Sequence, residues 1–213
     1  MIDRHTRRMR TPKSFAGFTM IEVLVTLVVI ALGLIGVIGL QARGQQAELE
    51  SYQRGQALVL LQDMVDKMNT NRNDTFAGNY VTASPVGGGG ALTNCAALTG
   101  YRYDLCDWGN QLNGAAEVGT VGTCDTSAGT ACVGAMLGAR GCISYGGAAT
   151  ELTTSDGTNE PGTGIYTISV VWQGIAPTNN PPANLTCGQN LYPSETMRRV
   201  VTATLRIADL VSK

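Results

Sequence analysis

The chain has 213 residues, a formal net charge of −1 and a single histidine, His5. A near-neutral chain with no lysine- and arginine-rich run beyond residue 17 is a poor nucleic-acid binder, because such surfaces cluster cations on one face. With its only histidine in the first residues, the rest of the chain lacks the group most used in acid–base and triad chemistry, and no catalytic residue is expected.

The first seventeen residues are basic, with Arg4, Arg7, Arg8, Arg10 and Lys13 against Asp3. From Phe18 to Leu40 the chain reads FTMIEVLVTLVVIALGLIGVIGL, with Glu22 its only charge. A spanning helix needs about 20 apolar residues, so this run is long enough to cross a bilayer. Its basic flank stays in the cytoplasm, and the chain after Leu40 is expected on the far side. A secretory signal would put a small-residue cleavage site after the apolar run. The segment QARGQQAELE offers none, whereas Gly17-Phe18 is a small-residue junction before it. Cleavage there leaves the apolar helix on the mature chain. A lone acid at membrane depth is costly and marks function.

Gly17-Phe18-Thr19-Met20-Ile21-Glu22-Val23-Leu24 resembles the class III signal of type IV prepilins. The resemblance implies cleavage after Gly17 by a prepilin peptidase, N-methylation of Phe18, and a role for Glu22 in setting subunit register. In that family the equivalent glutamate pairs with the terminal amine of a neighbouring subunit. The physics agrees, since a carboxylate in a dry helix bundle requires a cation.

The helix is expected to continue to about Asn69, because no proline interrupts residues 41–69. Its length would be about 78 Å at ~1.5 Å per residue. Leu58, Leu61, Val65 and Met68, with Ala57 and Met64 beside them, recur at helical spacing and predict the face on which a globular head packs. The first half would remain an exposed apolar stalk, which suits a filament subunit. Gly33, Gly36 and Gly39 punctuate the apolar run; such residues let helices approach closely. Where the pilin family often carries a proline, this chain has Gly39.

Residues 71–100 read as irregular. Gly87-Gly88-Gly89-Gly90 is a break and no phosphate loop, because no lysine follows at the required spacing. Leu105, Trp108 and Leu112 predict a short helix within 101–112. Residues 113–135 read as loop. Alternation predicts strands over 140–145, 165–173 and 198–207. In the second, Tyr166, Ile168, Val170 and Trp172 share one face; in the third, Val201, Ala203, Leu205 and Ile207 do. Asp63, Asp66, Asp104 and Asp107 read as solvated helix faces, and Arg198 and Arg199 as largely solvated. The fold class is α+β: a long N-terminal helix packed against a small antiparallel sheet of three or four strands, in a loop-rich head.

Six cysteines, Cys95, Cys106, Cys124, Cys132, Cys142 and Cys187, all follow the apolar run. An even count on the oxidising side reads as a disulfide framework. No C-x-x-C pair exists, so no metal site or cofactor is expected. Spacing leaves the connectivity open; local closure of Cys124–Cys132 and a long-range Cys142–Cys187 bridge are the pairings we expect.

Asp104-Leu105 with Trp108, then Arg140-Gly141-Cys142-Ile143, then Tyr166 to Gly174, then Arg198-Arg199-Val200-Val201 together resemble the PilV family of minor pilins. That resemblance implies three parts: a cleaved leader over 1–17, a membrane and filament-core helix over 18–40, and a periplasmic head over 41–213. It also implies anchorage in a bacterial inner membrane and later residence in a pilus. The expected partners are the prepilin peptidase, other minor and major pilins, and the inner membrane, with no nucleic acid. The expected function is structural: initiating or capping type IV pilus assembly. A pseudopilin of type II secretion and a tip adhesin whose loops 113–135 or 174–195 recognise a surface are the alternatives.

Overall fold

The computed structural model describes residues 17–88, 92–115 and 136–208. Helix α1 spans Met20–Thr70, α2 Arg72–Phe76 and α3 Tyr101–Leu112; the strands are β1 (Val86–Gly87), β2 (Leu137–Tyr145), β3 (Leu152–Thr153), β4 (Asn159–Glu160), β5 (Ile165–Gln173) and β6 (Arg198–Arg206). By contacts the chain divides into two compact units, one ending at Gln45 and one beginning at Gln46. The architecture is a pilin-like α+β fold, with a long apolar N-terminal helix, a small antiparallel sheet and disulfides.

In the first unit every side chain from Gly17 to Gln45 is exposed. The second unit holds the core. Its main sheet has the order β1-β2-β5-β6, with every pair antiparallel. A ribbon of β3 and β4 lies within the connection from β2 to β5. Ala57, Leu61, Met64 and Met68 of α1 are buried in one cluster with Ile143, Tyr166, Ile168, Val170, Trp172 and Val201 of the sheet. These α1 positions are spaced by three and four residues, so they form one stripe. Leu58 had been expected on that stripe, but it is 48% exposed. It lies about 100° around the helix from Ala57, and the sheet takes the face centred on Ala57 and Met64.

The buried aromatics anchor the core through their polar ends, as buried donors require. Trp108 Nε1–H donates to the Leu60 carbonyl at 2.9 Å, Trp172 Nε1–H to Gln53 Oε1 at 3.2 Å, and Tyr166 Oη–H to the Thr75 carbonyl at 2.6 Å. Trp108 packs against β2 where Gly141 admits it: a Cβ there would fall 2.1 Å from Trp108 Cη2.

Asp66 is exposed, as expected, but Asp63, Asp104 and Asp107 are structural. Asp104 accepts from Asn71 Nδ2 at 2.7 Å and from the Tyr80 hydroxyl. Lys67 of α1 bridges Asp63 at 2.8 Å and Asp107 of α3 at 2.7 Å. Arg198, expected near solvent, is 3% exposed; its guanidinium meets Glu195 at 2.7 Å and the Leu185 and Cys187 carbonyls at 2.8 and 2.9 Å. Arg199 reaches Glu50 of α1 at 3.2 Å. Apart from the Asp63–Lys67 pair within α1, the partners lie on other elements or in connecting segments, which alternation within one strand or helix does not register.

Two predictions come from this packing. Gly141→Ala should lower stability by about 1–3 kcal/mol through overpacking, whereas Gly55→Ala, on open α1 surface, should raise it by up to ~1 kcal/mol; thermal melts of the two variants check this. Burial works to lower the Lys67 pKa, but hydrogen bonds and charges from Asp107 and Asp63 outweigh it and raise the pKa above its ordinary 10.5. A raised pKa gives stability that is complete below the unfolded value and lost as pH rises through the folded one. The stability difference between wild type and Lys67→Met should therefore hold at neutral pH and shrink only above pH 10.5, read from melts across alkaline buffers.

Candidate processing and assembly site

Gly17, Phe18 and Thr19 precede α1 without helical structure, and Phe18 is 83% exposed. The Gly17–Phe18 bond therefore lies in open, non-helical backbone, as a protease substrate must. Thr19 caps the helix: its Oγ1 accepts from the Glu22 amide at 3.4 Å, and its carbonyl accepts from the Glu22 and Val23 amides at 3.1 and 3.3 Å. Thr19-x-x-Glu22 is thus the sequence form of a capping box, a signal that the reading by hydropathy passes over. It gives Glu22 a local reason to stand in the first turn, where a carboxylate also meets the positive end of the helix dipole.

Glu22 has no side-chain partner among the described residues. The next polar group, Thr26, turns its hydroxyl back onto the Val23 carbonyl at 2.8 Å and so satisfies itself. The Glu22 carboxylate is left as the one strong acceptor in an apolar surface that includes Leu24, Leu27, Ile30 and Leu34, each more than half exposed. The most apolar stretch of α1 has a mean hydropathy of 3.0, enough in length and composition to cross a membrane. Nothing lies within 4 Å of a Cβ built on Gly33, Gly36 or Gly39. Glycine in a helix interior costs about 1 kcal/mol relative to alanine, and no contact among the described residues explains that cost here.

The cysteines lie in the second unit. Cys142 on β2 bonds Cys187 in the β5–β6 loop, and Cys95 bonds Cys106 on α3. Cys124 and Cys132 fall outside the described residues. Among the described residues, no group of histidine, cysteine and carboxylate side chains is placed to hold a metal.

An exposed junction ahead of a capped apolar helix, a lone first-turn carboxylate and a helix-plus-sheet head define a class: proteins carrying a type IV pilin-like class III signal. Residues 12–38 match the family model of the prokaryotic N-terminal methylation motif. No curated protein and no solved structure matches the chain. The motif supports a type IV pilin or pseudopilin, a structural and generally non-catalytic class. It implies processing by a prepilin peptidase and assembly with other pilins, and with the apolar helix it fits an inner-membrane-anchored pilin.

Processing after Gly17 makes a definite prediction. Mass spectrometry of the exported chain should find a start at methylated Phe18, and Gly17→Val should leave residues 1–17 attached. A mature start beyond Leu40 would remove the basis of this site.

Proposed function

We propose that this chain is a minor pilin of the PilV type that takes part in initiating or capping a type IV pilus. It enters the complex through residues 18–40, and its head follows on the far side of the inner membrane. The observation that carries the reading is the matched methylation motif joined to an apolar stretch, 18–40, whose one carboxylate has no side-chain partner among the described residues. In a bundle of such helices the new amine of a neighbouring Phe18 supplies the missing charge. A buried polar pair of this kind aligns helices along their axes at some expense in stability.

Glu22→Ala should leave leader removal intact and reduce the amount of this chain recovered in sheared pili at least tenfold. Normal incorporation of the variant would defeat the register role. The type II secretion pseudopilin reading rests on the same motif, and gene loss separates the two. Loss of surface pili and twitching supports the pilus role, while a block in exoprotein export supports the pseudopilin.

A further inference from the structure

The strand register stacks hydroxyl groups in rows across the face of the sheet opposite the α1 stripe. Ser144 pairs with Thr167 and Thr167 with Thr204; Cys142 pairs with Ser169 and Ser169 with Thr202. These positions alternate with the core residues Ile143, Ile168 and Val201. Strand geometry sets the spacing at about 4.8 Å from strand to strand and about 6.7 Å along each strand.

Ser144, Thr202 and Thr204 are exposed, and Thr167 is half-buried. Ser169 is only 6% exposed. The hydroxyls of Thr167, Ser169, Thr202 and Thr204 have no hydrogen-bond partner among the described residues. Ser144 makes only a 3.5 Å contact to the Thr167 carbonyl. Over the β2–β5 part of this face lies a trough of about 350 Å³, walled by residues 82–85 and 184–187. The Cys142–Cys187 disulfide ties the second wall to the floor. No lining residue is charged or aromatic.

We propose that this trough and the adjoining β6 rows bind a neutral polysaccharide. A charged ligand would lose its hydration there and meet no countercharge. An apolar ligand would cover hydroxyls and leave them unpaired, which is costly. A hydroxyl is both donor and acceptor, so a chain of neutral sugars satisfies the rows from either side. Threonine on an outward strand face is ordinary, because it fits a pleated, half-solvated surface. That accounts for Thr202 and Thr204, but not for a nearly covered serine whose hydroxyl is unspent on the trough floor. The site is independent of the assembly reading, since none of its residues lies in α1.

The test is retention of the full chain, in a detergent without sugar headgroups, on amorphous cellulose and on cross-linked dextran, with alginate as the charged comparison. The proposal expects retention on at least one neutral matrix, elution by its soluble oligosaccharides, and little retention on alginate. T167V/T202V keeps side-chain shape and should cut retention at least tenfold, whereas Ser51→Ala on α1 should not. If T167V/T202V melts early, Ser84→Ala and Asn184→Ala on the walls should show the same loss. Absence of retention on both neutral matrices, equal retention on alginate, or unchanged retention in the trough variants overturns the site.

Discussion

Residues 18–40 expose apolar side chains on every side of a helix and include one carboxylate. Such a surface is unstable in water and at home only in lipid or among other helices. In lipid the Glu22 carboxylate is the costly element. Its charge must be removed or matched, and nothing on its own helix does so. The rest of the functional reading follows from that constraint. On the proposed reading, cleavage at the junction would supply a new amine, and a second helix of the same kind would bring it within reach. The glycines at 33, 36 and 39 fit the same logic, because they thin the helix where another backbone could approach.

The second unit solves a different problem with the same helix type. From Gln53 to Met68, α1 offers a narrow stripe in place of an apolar cylinder, and the sheet fills it with Tyr166, Ile168, Val170 and Trp172. Packing specificity comes from polar ends as much as from volume. Trp108, Trp172 and Tyr166 each carry one donor into the core, and each finds an acceptor on α1 or on α2. A slip of α1 by one turn would carry the Gln53 side chain away from Trp172 Nε1, and an unpaired buried donor costs about 1–3 kcal/mol. Hydrogen bonds thus help to fix the register of an otherwise apolar seam. Lys67, held between Asp63 and Asp107, adds a charged tie between α1 and α3.

The long helix, α3 and the strands β5 and β6 were legible in the sequence because each carries its own period. Tyr101–Leu112 shows its buried face through Trp108 and Leu112, and Ile165–Gln173 alternates clearly. What sequence reading missed depends on residues distant along the chain. The ribbon of β3 and β4 and the strand Val86–Gly87 are each two residues long, too short for any period. Val171 and Ser169 sit on the face of β5 that alternation assigns to solvent, yet both are buried. The β5–β6 loop covers them: Gly188 lies so close that a Cβ there would fall 2.7 Å from Val171 Cγ2. Arg198 is buried for the same reason, because that loop brings the Leu185 and Cys187 carbonyls to its guanidinium. At the candidate processing site, hydropathy marks Glu22 as the lone charge of an apolar run and Gly17-Phe18 as the small-residue junction before it, while their expected roles come from the resemblance of the motif. Thr19 is not marked in this way, because its role is a backbone cap and carries no hydropathic signature.

The loop that covers β5 also explains why the outer face divides into two parts. A strand buried on both sides needs apolar residues on both, and β5 has Val171 where the loop lands. Toward the other end of β5 the residues change from valine to serine and threonine: Ser169 and Thr167 on β5, with Thr202 and Thr204 beside them on β6. The Cys142–Cys187 bond sets where the change occurs, since it fixes the loop to β2 beside Ser169. If the loop served only to complete a core, apolar residues would be expected to continue beneath its edge. Instead the disulfide holds a wall over hydroxyls that have no hydrogen-bond partner among the described residues. The covalent tie thus joins the floor of a polar trough on β2 to its wall in the β5–β6 loop, at one border of the covered face.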